Sequence, residues 1–147
     1  MIIIKLLRVK DWVKNLFIFI PVFFACNLSL IKLVDLLIPF LSFCFIASSV
    51  YIINDLRDIE FDKKHPIKSK RPLASGKINK NAAKIICVIL LIGGFLLAYG
   101  ADSTFHYLFI VCFYFLLNLA YSFGLKNISV LDIVILSTGF VLRIQGG

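Results

Sequence analysis

The sequence predicts an all-α, polytopic membrane protein, a bundle of about five transmembrane helices. Three observations predict it. Hydrophobic residues make up 61% of the 147 residues and mean hydropathy is +0.97, more apolar surface than a water-soluble core of this size encloses. The apolar residues fall into separate runs bounded by charge, by small polar residues or by glycine. The charge is gathered beside those runs: of 16 Lys and Arg, nine lie within residues 57–84 and four more precede Asn15. A net charge of +8 distributed in this way reads as membrane topology and phosphate ligands, not as a nucleic-acid face.

Residues 1–15 form a basic lead with Lys5, Arg8, Lys10 and Lys14 among Ile, Leu and Trp12, the pattern of an interfacial helix with its tryptophan at headgroup level. The first span, 16–31, is short and carries Pro21, so it crosses only if flanking residues lengthen it or the bilayer thins. After a link containing Lys32 and Asp35, residues 36–53 are uncharged and cover roughly 27 Å, close to a hydrocarbon core. The third span, 85–101, has Gly93 and Gly94 at its middle, small residues that allow close helix approach. Residues 103–125 form a fourth span and Asn127 begins a fifth that runs to Gly147, an ending that suggests a truncated chain. Short loops rich in Lys and Arg belong on the cytoplasmic side, which places the lead and the charged stretch in the cytosol. Cys26, Cys44, Cys87 and Cys112 have no paired spacing and read as packing residues. The amino terminus lacks a cleavable signal pattern.

Between the second and third spans lies a dense island of charge, residues 54–76. Asn54, Asp55, Asp58 and Asp62 spell N-D-x-x-D-x-x-x-D. On a helix turning about 100° per residue, with Asn54 at zero, Asp58 falls near 40°, Asp62 near 80° and Asp55 near 100°. Three carboxylates and an amide on one face repel one another unless a cation sits between them, so this is a ligand set for a hard divalent ion such as Mg²⁺. Magnesium takes one or two carboxylates and completes its shell with water and substrate phosphate. Lys63, Lys64, Lys68, Lys70 and Arg71 follow as partners for phosphate oxygens. Three further places carry candidate residues: Lys14 and Asn15 where the first span begins, Tyr121 and Lys126 where the fourth ends, and Asp132 with Arg143 inside the fifth. Asp132 and Arg143 are close to three full turns apart, about 16 Å along one stripe. Charges inside a span must face protein or water, and neutralisation of each by a partner on a neighbouring helix, fixing packing, is as simple a reading as function.

The run N-D-x-x-D-x-x-x-D followed by H-P-x-K-x-x-R-P-L-A-S-G resembles the first aspartate-rich motif of the UbiA superfamily of intramembrane prenyltransferases. Two further stretches, R-x-x-x-W-V-K-N at residues 8–15 and D-x(7)-F-V-L-R-x-x-G-G at 132–147, resemble its decaprenyl-phosphate phosphoribosyltransferase branch. Y-S-x-x-L-K at 121–126 is similar to the end of the superfamily's fourth helix. The resemblance covers nearly all of this chain but only the amino-terminal half of the family fold, so 1–147 is expected to be the first part of a single UbiA-like membrane domain. It implies an integral protein of the inner (plasma) membrane, with its site facing the cytoplasm and a role in cell-envelope biosynthesis. The implied reaction is Mg²⁺-dependent transfer of a phosphoribosyl group from 5-phosphoribosyl diphosphate to a polyprenyl phosphate. Asp55, Asp58 and Asp62 are the implied catalytic residues and, with Asn54, the metal ligands. Lys14, Asn15, Asn54, Lys68, Arg71, Tyr121, Lys126 and Arg143 are the implied substrate contacts. Two alternatives stay open: a prenyltransferase moving an isoprenyl group from its diphosphate to an aromatic or other acceptor, and an inactive membrane fragment or transporter piece. The second aspartate-rich motif of the family does not occur in these residues, so a homo-oligomer or a carboxy-terminal half is the expected protein partner.

Overall fold

In the computed structural model, which describes residues 2–25, 30–102, 104–124 and 129–147, every regular element is helical. The basic lead is α1 (Ile2–Leu6), and the chain then turns at Arg8, whose backbone is left-handed with φ 50°. A 3-10 segment, Val9–Phe19, follows and passes into α2 (Ile20–Phe24), with Pro21 in the first turn where its missing N–H costs nothing. A 3-10 helix rises about 2.0 Å per residue against 1.5 Å for an α-helix, so these sixteen residues cover about 30 Å. Residues 9–15 of the lead thus run on into the first span and lengthen it from its flank, and the 3-10 rise adds to that length.

Helix α3 (Leu30–Asp35) leads through Leu36 into α4 (Leu37–Arg57), so the expected link at Asp35 is itself helical. Helix α5 (Ile59–Lys64) and a 3-10 turn (Lys68–Lys70) occupy the charged island. Helix α6 (Lys80–Ala101) starts earlier than expected because Asn79 caps it, its side chain accepting the Asn81 N–H at 3.1 Å. Helix α7 (His106–Ser122) starts later, since Asp102 accepts the Thr104 N–H at 2.9 Å and Phe105 turns left-handed at φ 60°. Helix α8 is Ser129–Gln145. Two stretches, Leu33–Arg57 and Lys80–Ala101, are long and apolar enough to cross a membrane, and the apolar α7 is shorter at 17 residues.

Helix α4 is the axis of the bundle. It packs most extensively on α6, and also on α7 and the 3-10 segment, while α8 lies against α7 and that segment. The buried side of α4 carries Ser42, Ser48 and Ser49, small enough for close helix approach and each hydrogen-bonded. Ser42 donates to the Gly94 carbonyl at 2.9 Å, and Ser48 donates to the Leu7 carbonyl at 2.8 Å while accepting the Trp12 indole N–H at 3.0 Å. Trp12, expected at headgroup level, therefore ties the lead to α4. Phe43, Ile46, Val111 and Ile18 fill one core cluster, and Leu6, Ile52, Leu73 and Leu90 fill a second nearer the charged end.

Gly94 sets the α4–α6 spacing, because a Cβ there would lie 2.8 Å from two atoms of the fully buried Ile46 side chain. Gly94→Val should lower stability by about 1–3 kcal/mol, the usual cost of overpacking. Gly100→Ala, where nothing lies within 4 Å, should be nearly neutral. Thermal unfolding of both variants in detergent checks the contrast.

Candidate functional site

The last turn of α4 brings Asn54 and Asp55 to the end of the bundle. Helical geometry lapses at one residue, Asp58 (φ −92°, ψ 10°), yet the hydrogen bonds continue, from the Asp58 N–H to the Asn54 carbonyl at 2.9 Å and from the Asp62 N–H to the Asp58 carbonyl at 2.8 Å. Asp62 thus stays nearly in register with Asp55. Helix α5 ends at Lys64 because Pro66 forces His65 into an extended conformation, ψ 131°. His65 Nδ1 then accepts the backbone N–H groups of Ile67 and Lys68, and this turn sends the chain back over α5. Arg71 returns to the acids as a result. Its Nη1 lies 3.1 Å from Asp55 Oδ1 and 2.7 Å from Asp62 Oδ2.

Both carboxylates are only 3% exposed, and a buried charge is tolerable only when paired. Asp55 has a second cation, Arg8, whose Nη2 lies 2.6 Å from Oδ1. The guanidinium of Arg8 also stacks over the Tyr51 ring at 4.8 Å. Sequence reading missed Arg8 as a site residue, although it is the first position of the R-x-x-x-W-V-K-N stretch. Glu60, by contrast, is exposed on the other side of α5 and bonded to Lys63 at 2.9 Å, which holds its carboxyl below the usual range.

Beside Asp55 a cavity of about 390 Å³ runs into the bundle, and Asp62 is not in its wall. Asn54, Asp55, Asp58, Lys14, Lys68, Arg71, Tyr121 and Arg143 all line it, so most of the residues selected from sequence meet around one space. Tyr51, Tyr114 and Asn118 line it too and carried no sequence signal. Lys126 lies outside the described residues. A second cavity, about 640 Å³, shares the wall formed by Arg8, Lys14, Tyr51, Lys68 and Arg71 and adds Lys5, Lys10 and Lys70. This end of the protein concentrates positive charge. Among the described residues, the cavity at the other end, lined by Asp35, Asp102 and His106, has no Lys or Arg in its wall.

Asn15 does not line the cavity. It is buried, donating to Cys44 Sγ at 3.2 Å and accepting from Arg143 Nε at 2.7 Å, so it positions Arg143. Arg143 does not pair with Asp132: its Nη1 donates to the Gly139 carbonyl at 2.6 Å and its Nη2 to the Tyr114 hydroxyl at 2.9 Å. Asp132 lies near Tyr121, with one buried oxygen lacking a hydrogen-bond partner among the described residues.

The acidic pair fits a divalent cation. Two buried carboxylate oxygens converge on one positive atom, Arg71 Nη1, which stands where a metal's charge would be needed. The expected convergence of three carboxylates is replaced by two, with Asp58 beside them on the cavity wall. Among the described residues no group of three or more His, Cys, Asp or Glu gathers at one point. Two is enough for magnesium, which retains water and takes phosphate oxygens.

Residues 15–147 match the UbiA prenyltransferase family. The chain is 36% identical over 147 residues to a decaprenyl-phosphate phosphoribosyltransferase of Corynebacterium glutamicum, covering 98% of this chain and 44% of that protein. It is 35% identical over 151 residues to the enzyme of the same name from Mycolicibacterium smegmatis, covering 99% and 47%. A digeranylgeranylglyceryl phosphate synthase of Methanocaldococcus jannaschii is 38% identical over 96 residues, 65% of this chain and 33% of that protein. The chain spans about half the length of the phosphoribosyltransferases it matches.

The bridge by Arg71 makes a measurable claim. A double-mutant cycle of Arg71→Gln with Asp62→Asn, followed by denaturant unfolding in detergent, should give a coupling of about 0.5–3 kcal/mol. The exposed Lys63–Glu60 pair should show no coupling in the same assay.

Proposed function

The chain belongs to the UbiA prenyltransferase family, a family of integral membrane proteins, and from that premise we propose that its site transfers a phosphoribosyl group from 5-phosphoribosyl diphosphate to a polyprenyl phosphate. The observation that carries this reading is the buried acidic pair beside two basic cavities. A donor with a diphosphate at one carbon and a monophosphate at another needs two cationic places. The acidic pair with Arg71 and Lys14 suits the first, and the Lys5, Lys10, Lys68 and Lys70 cluster suits the second.

Magnesium bound to Asp55 and Asp62, with Asn54 and Asp58 alongside, would neutralise the leaving diphosphate and polarise its bond to the sugar. Arg71 leaves the carboxylates and turns its guanidinium to the phosphate oxygens, where its planar fork is well matched. Lys14 and Lys68 meet charge that grows on the diphosphate as the bond lengthens. An oxygen of the acceptor phosphate donates its electron pair to the anomeric carbon. The carbon–oxygen bond to diphosphate breaks with its pair going to the diphosphate, and no proton has to move. The chain's apolar helix faces hold the lipid tail, and the site opens to the cytoplasmic side of the inner membrane, where positive-inside topology places the lead and the charged loop.

A second reading, ionisation of an isoprenyl diphosphate, draws on the likeness to the synthase of M. jannaschii. It uses the same acids, and it gives the second basic cavity a purpose only where the acceptor also carries a phosphate.

Label from 5-phosphoribosyl diphosphate should enter the lipid phase when membranes containing the chain together with a polypeptide that supplies the second aspartate-rich motif receive Mg²⁺ and a polyprenyl phosphate, and the chain alone should be inactive. Label that stays aqueous while an isoprenyl diphosphate is consumed would establish the second reading instead. Asp62→Asn and Asp58→Asn should each lower transfer by several orders of magnitude, about the several kcal/mol that metal stabilisation of a leaving group supplies. Membrane insertion should be intact in both, and Glu60→Gln should be nearly silent.

A further inference from the structure

Arg143 is only 5% exposed, sits within an apolar helix and carries a permanent charge. Among the described residues no carboxylate lies within ion-pair distance of it. The Asn15 amide oxygen, the Gly139 carbonyl and the Tyr114 hydroxyl are neutral acceptors and use three of its five N–H groups. One N–H remains on each terminal nitrogen. The rings of Tyr114, Phe140 and Phe43 surround the guanidinium with centroids 4.9, 5.7 and 5.8 Å away, which softens the burial of the charge without cancelling it.

A tie between helices does not need a full charge, since a neutral amide or a hydrophobic side chain fills such a place at lower cost. What distinguishes Arg143 is that it lines the same cavity as Asp55. Arg57 of α4 donates to the Ser122 carbonyl of α7 and marks one level of the bundle. At about 1.5 Å per residue, Asp55 stands about 3 Å below that level along α4 and Tyr114 about 12 Å below it along α7. The cavity therefore has two poles, a mouth where Asp55 and Asp58 stand among Arg8, Lys14, Lys68 and Arg71 and, deeper in the apolar interior, a guanidinium with no carboxylate beside it among the described residues.

We propose that Arg143 is the anchor for the second substrate's anion, a phosphate monoester on an isoprenoid chain, entering the cavity from its apolar end. This rests on the transferase reading above for the identity of the acceptor. The two free N–H groups take two phosphate oxygens, Asn15 and Tyr114 hold the guanidinium plane, and the third oxygen faces the mouth. That oxygen supplies the electron pair that forms the new bond to the donor carbon as the donor's diphosphate departs with the electrons of the old one.

Farnesyl phosphate and farnesol serve as probes, titrated calorimetrically into the 147-residue protein in detergent. Two variants perturb the anchor differently. Arg143→Lys keeps the charge and loses the fork, while Asn15→Asp keeps the guanidinium and gives it an internal carboxylate. Farnesyl phosphate should bind the wild type about tenfold or more tighter than farnesol, and each variant should lose most of that difference. Asn15→Asp should melt no lower than the wild type, which separates loss of the ligand site from loss of the fold. Equal binding of the alcohol and the phosphate, wild-type affinity in both variants, or tighter binding of benzoate would overturn the assignment. Binding of 5-phosphoribosyl diphosphate with Mg²⁺, measured on the same samples, should be unaffected by Asn15→Asp. Loss of lipid phosphate binding in a protein that never binds this donor would leave the anchor standing and remove the donor reading.

Discussion

A carboxylate buried in an apolar bundle needs cations beside it, and Asp55 is where this protein meets that constraint. The carboxylate is buried, and two guanidinium groups from opposite sides of the sequence reach it, Arg8 from the lead and Arg71 from the returning loop. Much of the local architecture follows from those two approaches. The left-handed turn at Arg8 separates α1 from the 3-10 segment, and the Pro66 turn reverses the chain so that Arg71 comes back to α4 and α5. The lead, the end of α4 and the charged loop are thereby held as one polar cap over the helices.

Pairing of this kind stabilises a resting arrangement that a substrate can replace. On the proposed reading a buried carboxylate pair bridged by an arginine doubles as a cation site, and the arginine as a phosphate ligand. Exchange of Arg71 for a metal, and of the carboxylates for a diphosphate, would keep these charges compensated. On that reading the apolar helices around the cavity would lower the local dielectric, so that electrostatic contacts to a developing anion are stronger than they would be at a surface.

Much of this was legible in the sequence because it is local. The spacing of Asp55, Asp58 and Asp62 gave the shared face, Pro66 gave the end of α5, and Gly93-Gly94 gave the close contact of α4 with α6. What escaped is non-local or geometric. Nothing in a periodic pattern pairs Arg8 with a carboxylate 47 residues away, or lays Asn15 against a guanidinium 128 residues away. Asn15, a candidate substrate contact by its place at the start of the first span and by the R-x-x-x-W-V-K-N resemblance, has its amide turned inward to Cys44 and Arg143. That the lead runs into the first span as one 3-10 segment is beyond composition, which carries no sign of a 3-10 rise. The one-residue lapse at Asp58 likewise needs backbone angles to be seen, and it sets two converging carboxylates apart from the third.

The central claim is that the Asp55–Asp62 pair exchanges its arginine for a metal when a diphosphate arrives. Mn²⁺ is a spectroscopic substitute for magnesium, and its hyperfine coupling to phosphorus reports a phosphate in its coordination shell. Titration of Mn²⁺ into the purified protein in detergent should give weak binding alone and much tighter binding with inorganic diphosphate, with ³¹P coupling in the electron paramagnetic resonance spectrum. In the Asp55→Asn/Asp62→Asn double variant the coupled protein-bound signal should vanish. A protein-bound, phosphorus-coupled Mn²⁺ signal of undiminished strength in that variant would contradict the account.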